Sequence, residues 1–167
     1  ALETGVQTHR LLGLIDLDGA RQAVDDPKAL YAYICREVER LTAFGSILQK
    51  DAPRCDRAMA ARFLESDLGR RMLRSATVHR EWSFNLMVEE PFHTLLQGVI
   101  DLCFIEDGAW VLADYKTDRV SSAADLWPRY HRQLEYYAQA LTAGTGLPVK
   151  EKALFSLRLG ESFAKND

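Results

Sequence analysis

Cysteine is scarce: Cys35, Cys55 and Cys103 are the only three in 167 residues. An odd number at wide, irregular spacing excludes a disulfide framework. No two lie within a few residues of each other, which excludes the thiolate spacings of zinc and iron–sulfur sites. The thiols are expected to be buried and reduced, as in a cytoplasmic protein. No apolar run approaches the roughly 18–20 residues that a bilayer crossing needs, and no signal peptide or lipidation motif is present, so no membrane partner is expected. An excess of one charge is missing too: 21 Lys and Arg face 24 Asp and Glu, a formal net charge of −3. That excludes a dedicated, strongly basic nucleic-acid binder. It leaves room for an enzyme that grips nucleic acid through a few local Arg or through a partner. No repeat, low-complexity tract or Pro/Gly/Ser-rich linker divides the chain, and no Gly-x-x-x-x-Gly-Lys-Ser/Thr loop for a nucleoside triphosphate occurs. Apolar residues make up 47% and charged residues 27%, an ordinary globular composition. The length fits one domain, residues 1–167, able to bury roughly 70% of its unfolded surface. The chain opens on Ala1 instead of Met and is expected to be a fragment of a longer chain or a processed product.

The first 75 residues carry helical patterns. A short helix is expected over Gly5 to Ile15. Asp26 and Pro27 suit the cap and first position of a second, with Leu30, Tyr33, Ile34, Val38 and Leu41 at helical spacing and Gly45 closing it. Asp51-Ala52-Pro53 is expected to open a third through Met59, Phe63 and Leu64, and Ser66 to cap a fourth through Leu73. After Ala76 the pattern turns to strands: Val78 to Val88, Thr94 to Ile105, and Ala109 to Tyr115, the last two joined by the hairpin signal Asp107-Gly108. Asp125 is expected to cap a long helix whose Leu126, Tyr130, Leu134, Tyr137 and Leu141 share one face, ended by Gly144, Gly146 and Pro148. Val149 to Leu157 reads as a further strand. The order predicts an α/β fold: a mixed central β-sheet flanked by helices, with an N-terminal helical section.

Chemistry concentrates between Gly98 and Lys116. Asp101 interrupts an apolar strand pattern and Asp114 ends another. Burying an ionised carboxylate without a partner is expensive, and two on adjacent strands repel unless a cation lies between them. Lys116, two residues after Asp114, projects from the same strand face. Two carboxylates and an ammonium at the edge of an apolar sheet are what a hard divalent cation with a neighbouring water needs. An Asp at a strand end also serves as a turn or cap residue, and Asp114 with Lys116 also fits a surface ion pair. These residues alone leave both readings open.

The run Gly98-Val99-Ile100-Asp101, then Asp114-Tyr115-Lys116-Thr117-Asp118, then Gln133 with Tyr137 four residues on, resembles the RecB-type PD-(D/E)xK nucleases. The resemblance is greatest to the C-terminal nuclease domain of AddA-type helicase–nuclease subunits. Gly5-Val6-Gln7-Thr8-His9 resembles that family's first nuclease motif. His79-Arg80-Glu81-Trp82-Ser83-Phe84 resembles its Arg-Glu-x-Pro-Phe strand, with Ser83 where Pro is usual. The match runs from His9 to Tyr137 and implies a restriction-endonuclease-like core.

The resemblance implies Asp101 and Asp114 as ligands of Mg²⁺ or Mn²⁺, joined by the backbone carbonyl of Tyr115 and by His9, whose imidazole would favour Mn²⁺ somewhat. Lys116 would orient or activate the attacking water and stabilise charge on the phosphorane. Glu81 would assist the metal, and Gln133 and Tyr137 would steady the site or contact DNA. Arg129 and Arg132 flank the same helix start and suit phosphate contacts, although surface Arg is also commonly just solvated. The cysteine set of the family's iron–sulfur relatives is absent, so no cluster is implied. The implied function is phosphodiester hydrolysis, in single-stranded DNA, by the nuclease end of a chain that processes double-strand breaks for recombination. Its partners would be a helicase domain of the same parent chain, the sole place for ATP, and a second, AddB-like subunit. A rival expectation is a nuclease-fold module that no longer cuts and instead guides DNA or serves in subunit docking. The complete set of Asp101, Asp114 and Lys116 speaks against it.

Overall fold

The computed structural model describes residues 2–89 and 93–166. The chain forms two compact units. The first comprises Ala1–Arg74 with Tyr115–Arg119 and Ser156–Glu161, and the second Ser75–Asp114 with Val120–Phe155 and Ser162–Asp167. No described helix is long and apolar enough to cross a membrane.

The first unit is helical: α1 (Leu2–Leu14), α2 (Leu17–Ala23), α3 (Pro27–Ala43), a single 3₁₀ turn (Ala52–Arg54), α4 (Arg57–Glu65) and α5 (Asp67–Arg74). Asp26 caps α3 as its sequence predicts, its carboxylate accepting from the backbone N–H groups of Lys28 and Ala29. Ser66 caps α5, its Oγ accepting from Gly69 N at 3.0 Å. Two expectations need correction. Pro53 supports no more than the 3₁₀ turn, and the third long helix, α4, starts at Arg57 behind Asp56, whose carboxylate takes the Met59 N–H. Helix α2 went unforeseen because it is only seven residues long, contains Gly19 and has little apolar periodicity. It is held from outside by the buried Glu37 on α3. Glu37 accepts from Asp16 N at 2.9 Å and from Arg40 through two bonds of 2.7 and 2.8 Å. The Arg40 guanidinium holds the Glu37 carboxyl below its usual range against the opposing effect of burial.

The sheet belongs almost wholly to the second unit. It has five strands in the order β1 (Val78–Val88), β2 (Thr94–Glu106), β3 (Ala109–Lys116), β4 (Val149–Ser156) and β5 (Glu161–Asn166). β1–β2 and β2–β3 are antiparallel. Asp107 and Gly108 both take left-handed φ values, 51° and 78°, as the two-residue hairpin turn between β2 and β3 requires. Trp110 N donates to Pro148 O at the start of β3 and Leu157 N to Lys116 O at its end, so β4 runs parallel to β3 and the sheet is mixed. Helix α6 (Trp127–Thr145) makes the crossover and ends on left-handed Gly146. Its expected apolar face, Leu126, Leu134, Tyr137 and Leu141 with Tyr130 beside them, packs on Ile100, Cys103 and Leu112 of the sheet. Asp125 is not the cap of this helix. It is the far partner of a capping box around a preceding 3₁₀ turn (Ala123–Leu126), its carboxylate accepting from Ser122 N at 2.9 Å. β5 escaped detection because Glu161-Ser162-Phe163-Ala164-Lys165-Asn166 is mostly exposed and lacks alternation.

Helices α4 and α5 meet at Gly69. A Cβ there would sit 2.0 Å from the carbonyl oxygen of Phe63, a backbone atom with little room to yield. Gly69→Ala is therefore expected to destabilise the first unit by about 1–3 kcal/mol, read as a lowered Tm in thermal unfolding; an unchanged melt would refute this close approach.

Candidate active site

The strand registers align three carboxylates. In β1–β2, Arg80 pairs with Leu102 and Trp82 with Ile100, which sets Glu81 level with Asp101. In β2–β3 the pairing runs to Leu102 opposite Ala113, and one residue further sets Asp101 level with Asp114. Glu81, Asp101 and Asp114 thus stand level with one another, a row across β1, β2 and β3. Asp114 is buried at 3% exposure, Asp101 half-buried and Glu81 exposed.

Glu81 holds a left-handed backbone, φ 52°, inside a strand. For a residue with a long side chain this conformation stores strain on the order of 1–3 kcal/mol, and such strain clusters at functional sites. Although the residue as a whole is exposed, nearby protein removes part of the solvent around the Glu81 carboxyl, and the charge of Asp114 adds to the effect, so its pKa stands above the usual glutamate value.

Helix α6 brings a phenol to the row. Burial first, then the charges of Asp114 and Asp101, push the Tyr137 pKa up to about 12. Gln133 Nε2 donates to Tyr137 Oη at 2.8 Å, so the pair that sequence spacing put on one helical face is hydrogen-bonded. With the amide occupying one acceptor position, the phenol keeps its own proton to give. Gly98 makes the fit: a Cβ there would lie 2.8 Å from the Phe84 ring and 3.3 Å from that of Tyr137. Sequence reasoning recognised the glycine as part of a motif without seeing that two aromatic rings need its space.

Asp114 is followed by Tyr115, Lys116 and Thr117, which belong to the first unit. Lys116 is the half-buried last residue of β3. Strand alternation directs it to the same face as Asp114. Within the first unit, helix α1 lies along this segment. His9 sets its ring edge-on to Tyr115 at 5.4 Å, and a Cβ on Gly5 would lie 2.7 Å from Thr117 Oγ1. The Gly and His of the first motif thus both meet the Tyr115–Thr117 stretch of the same unit. Arg129 and Arg132 are exposed in the first turns of α6.

Other reactive or charged side chains have structural roles. Cys103 is buried with its thiol pushed up to about 12, and burial likewise raises the thiol of Cys55. Such thiols are inert. Arg70 serves the packing of the first unit, bonding Asp25 at 2.7 Å and the carbonyls of Glu65 and Val24.

Among the described residues no group of three His, Cys, Asp or Glu side chains is drawn close enough to hold a metal ion alone. The carboxylates form a line and not a closed cage.

A sequence profile of the PD-(D/E)XK nuclease superfamily matches residues 1–166. The chain belongs to this superfamily. The PD-(D/E)XK domain is also similar to several proteins named as the A subunits of ATP-dependent helicase/nucleases. That of Acetivibrio thermocellus is 39% identical over 134 residues, 71% of this chain and 11% of the relative. That of Desulforudis audaxviator is 35% identical over 173 residues, 95% of this chain and 13% of the relative. That of Clostridium kluyveri is 31% identical over 166 residues, 92% of this chain and 13% of the relative. The PD-(D/E)XK chain therefore spans little more than a tenth of the length of the curated relatives it matches.

The raised Glu81 pKa has a stability consequence. The folded state binds this proton more tightly than the unfolded chain. The resulting stabilisation is fully present below the unfolded glutamate value, about 4.3, and is lost as pH rises through the folded value. In EDTA, Glu81→Gln is expected to melt above the wild type near neutral pH, with the gap closing towards about pH 4. A gap independent of pH would show that the Glu81 carboxyl is neither desolvated nor crowded by Asp114.

Proposed function

We propose that residues 1–167 act as one divalent-metal-dependent DNA nuclease domain, part of a longer ATP-dependent helicase–nuclease that serves double-strand break repair and recombination. The observation that carries this reading is the row of Glu81, Asp101 and Asp114 followed by Lys116 in the strand that ends it.

The donor set fits a hard cation. Its carboxylates offer oxygen only, and the Glu81 pKa is raised first by desolvation and then by the charge of Asp114, both of which a bound cation would offset. Mg²⁺ commonly keeps several waters and needs only one or two carboxylates, so a line of acids suffices where a closed cage is absent. Asp101, Asp114 and the carbonyl of Tyr115 would hold Mg²⁺ or Mn²⁺, and the family resemblance adds His9 to the ligands. The bound ion supplies a polarised phosphate and a water of lowered pKa.

The chain's own groups do the rest. Lys116 orients the attacking water and offsets the charge that grows on the phosphate oxygens. Tyr137, kept neutral by burial and fixed by Gln133, donates its proton as a hydrogen bond beside the carboxylates. Glu81 tunes the charge of the row from β1. Arg129 and Arg132 take phosphates of a single strand arriving along α6. With a net charge of −3 the domain grips DNA weakly by itself. That suits a cytoplasmic assembly in which a helicase domain of the parent chain, which uses ATP, and a second, AddB-like subunit deliver the strand.

Asp114→Ala and Lys116→Ala are each expected to lower cleavage of single-stranded DNA in Mg²⁺ or Mn²⁺ by on the order of 100-fold or more, with an unchanged circular dichroism spectrum. Full activity in either variant would overturn the assignment. In the wild type, Mn²⁺ is expected to raise the Tm and EDTA to abolish cleavage. The Mn²⁺ shift should vanish in Asp101→Ala. A Tm indifferent to metal, together with retained DNA binding and no cleavage, would favour a silent DNA-guiding module.

A further inference from the structure

We propose that a cleft between β1 and the C-terminal half of α6 is a nucleobase subsite, taking one base of the strand whose backbone lies at Asp101 and Asp114. This rests on the nuclease reading above and extends it to how the strand is held. The cleft lies wholly in the second unit and has a volume of about 190 Å³. Trp82, Phe84 and Ile100 form its sheet side, and Leu141, Gly144 and Thr145 its helix side.

Place, size and wall chemistry agree. Trp82 directly follows Glu81 in β1, and Ile100 directly precedes Asp101 in β2. The cleft adjoins the carboxylate row through α6: Phe84 of its wall meets the Tyr137 ring edge-on at 5.2 Å, and the Tyr137 phenol senses the charges of Asp114 and Asp101. A base attached beside a phosphate at the row reaches the adjoining cleft. A cavity of about 150 Å³ admits benzene, whereas pockets for drug-sized molecules start near 300 Å³. The space here suits a single planar ring system and excludes anything much larger.

The principal wall is also fixed in advance. His79 stacks on Trp82 with ring centroids 4.1 Å apart and planes 26° from parallel. Trp110 leans on the same indole at 6.0 Å and donates its Nε1–H to Thr145 Oγ1 at 2.9 Å. The indole is thus supported from within the second unit while Trp82 itself stays half-buried. An aromatic side chain held in place loses little freedom when a base packs against it, and every base has a π-face to offer.

The test compares binding of oligothymidine with binding of an abasic deoxyribose-phosphate chain of equal length. Both are measured in EDTA by anisotropy of a labelled strand, with tryptophan emission followed in parallel. The wild type is expected to prefer the thymidine strand about ten-fold, and only that strand should quench the emission. Gly144→Leu fills the cleft from α6, where an added Cβ meets nothing within 4 Å, and replaces a poor helix former with a good one. It is expected to lose the preference while binding the abasic chain as the wild type does, and Trp82→Ala should do the same. Equal binding of the two strands by the wild type, or an undiminished preference in Gly144→Leu, overturns the subsite. A cleft that admits an extended peptide along β1 while Gly144→Leu keeps its base preference overturns it too. Cleavage in Mn²⁺ is scored separately: a wild type that prefers bases but never cuts counts against the nuclease reading and leaves the subsite standing.

Discussion

Three carboxylates level with one another across adjacent strands repel, and the second unit is organised around keeping them there. Two full charges at the roughly 5 Å separation of opposed residues repel by about 3 kcal/mol in an effective dielectric of about 20. The ladder beyond Asp101 opposes that force from one side, pairing Leu102, Cys103 and Phe104 with Ala113, Leu112 and Val111. Helix α6 opposes it from above, with Leu134, Tyr137 and Leu141 packed on the sheet. The left-handed turn of backbone at Glu81 is the local distortion that accompanies the arrangement. Under the proposed metal reading, a site this costly to the fold would gain from a cation, since that favourable interaction is realised only on binding.

Much of this was legible in the order of residues. The β1 limits agree with the expected ones at both ends, and the Asp107-Gly108 signal correctly announced the hairpin that sets Asp101 beside Asp114. The apolar face of α6 followed from spacing alone. What escaped was of two kinds. Weakly patterned elements, α2 and β5, take their place from tertiary contact: Glu37 of α3 holds the entrance to α2 from 21 residues away. Backbone conformation was the other gap. Nothing in the run His79 to Phe84 announces a positive φ at Glu81, because glutamate is not a residue that favours one.

The candidate site was legible as pairs and became a row only through register. Spacing linked Asp114 to Lys116 and Gln133 to Tyr137. The level of Glu81 with Asp101 depends on the pairing of two strands and could not be counted along the chain. The place of the first motif is likewise a matter of packing. Helix α1 touches Tyr115 and Thr117, so residues more than a hundred positions apart in the chain meet inside one unit.

The hairpin turn between β2 and β3 carries a constraint of another sort. Only Asp107 and Gly108 separate the paired ends Glu106 and Ala109. Lengthening that connection by a single amino acid would leave both strands their composition and their propensity. It would, however, shift one past the other and turn its side chains to the opposite face. Asp101 would then confront Ala113 or Tyr115 in place of Asp114, with every acidic side chain still present. In lineages that still cut DNA, the length of this loop should accordingly tolerate less drift than the identity of its two residues.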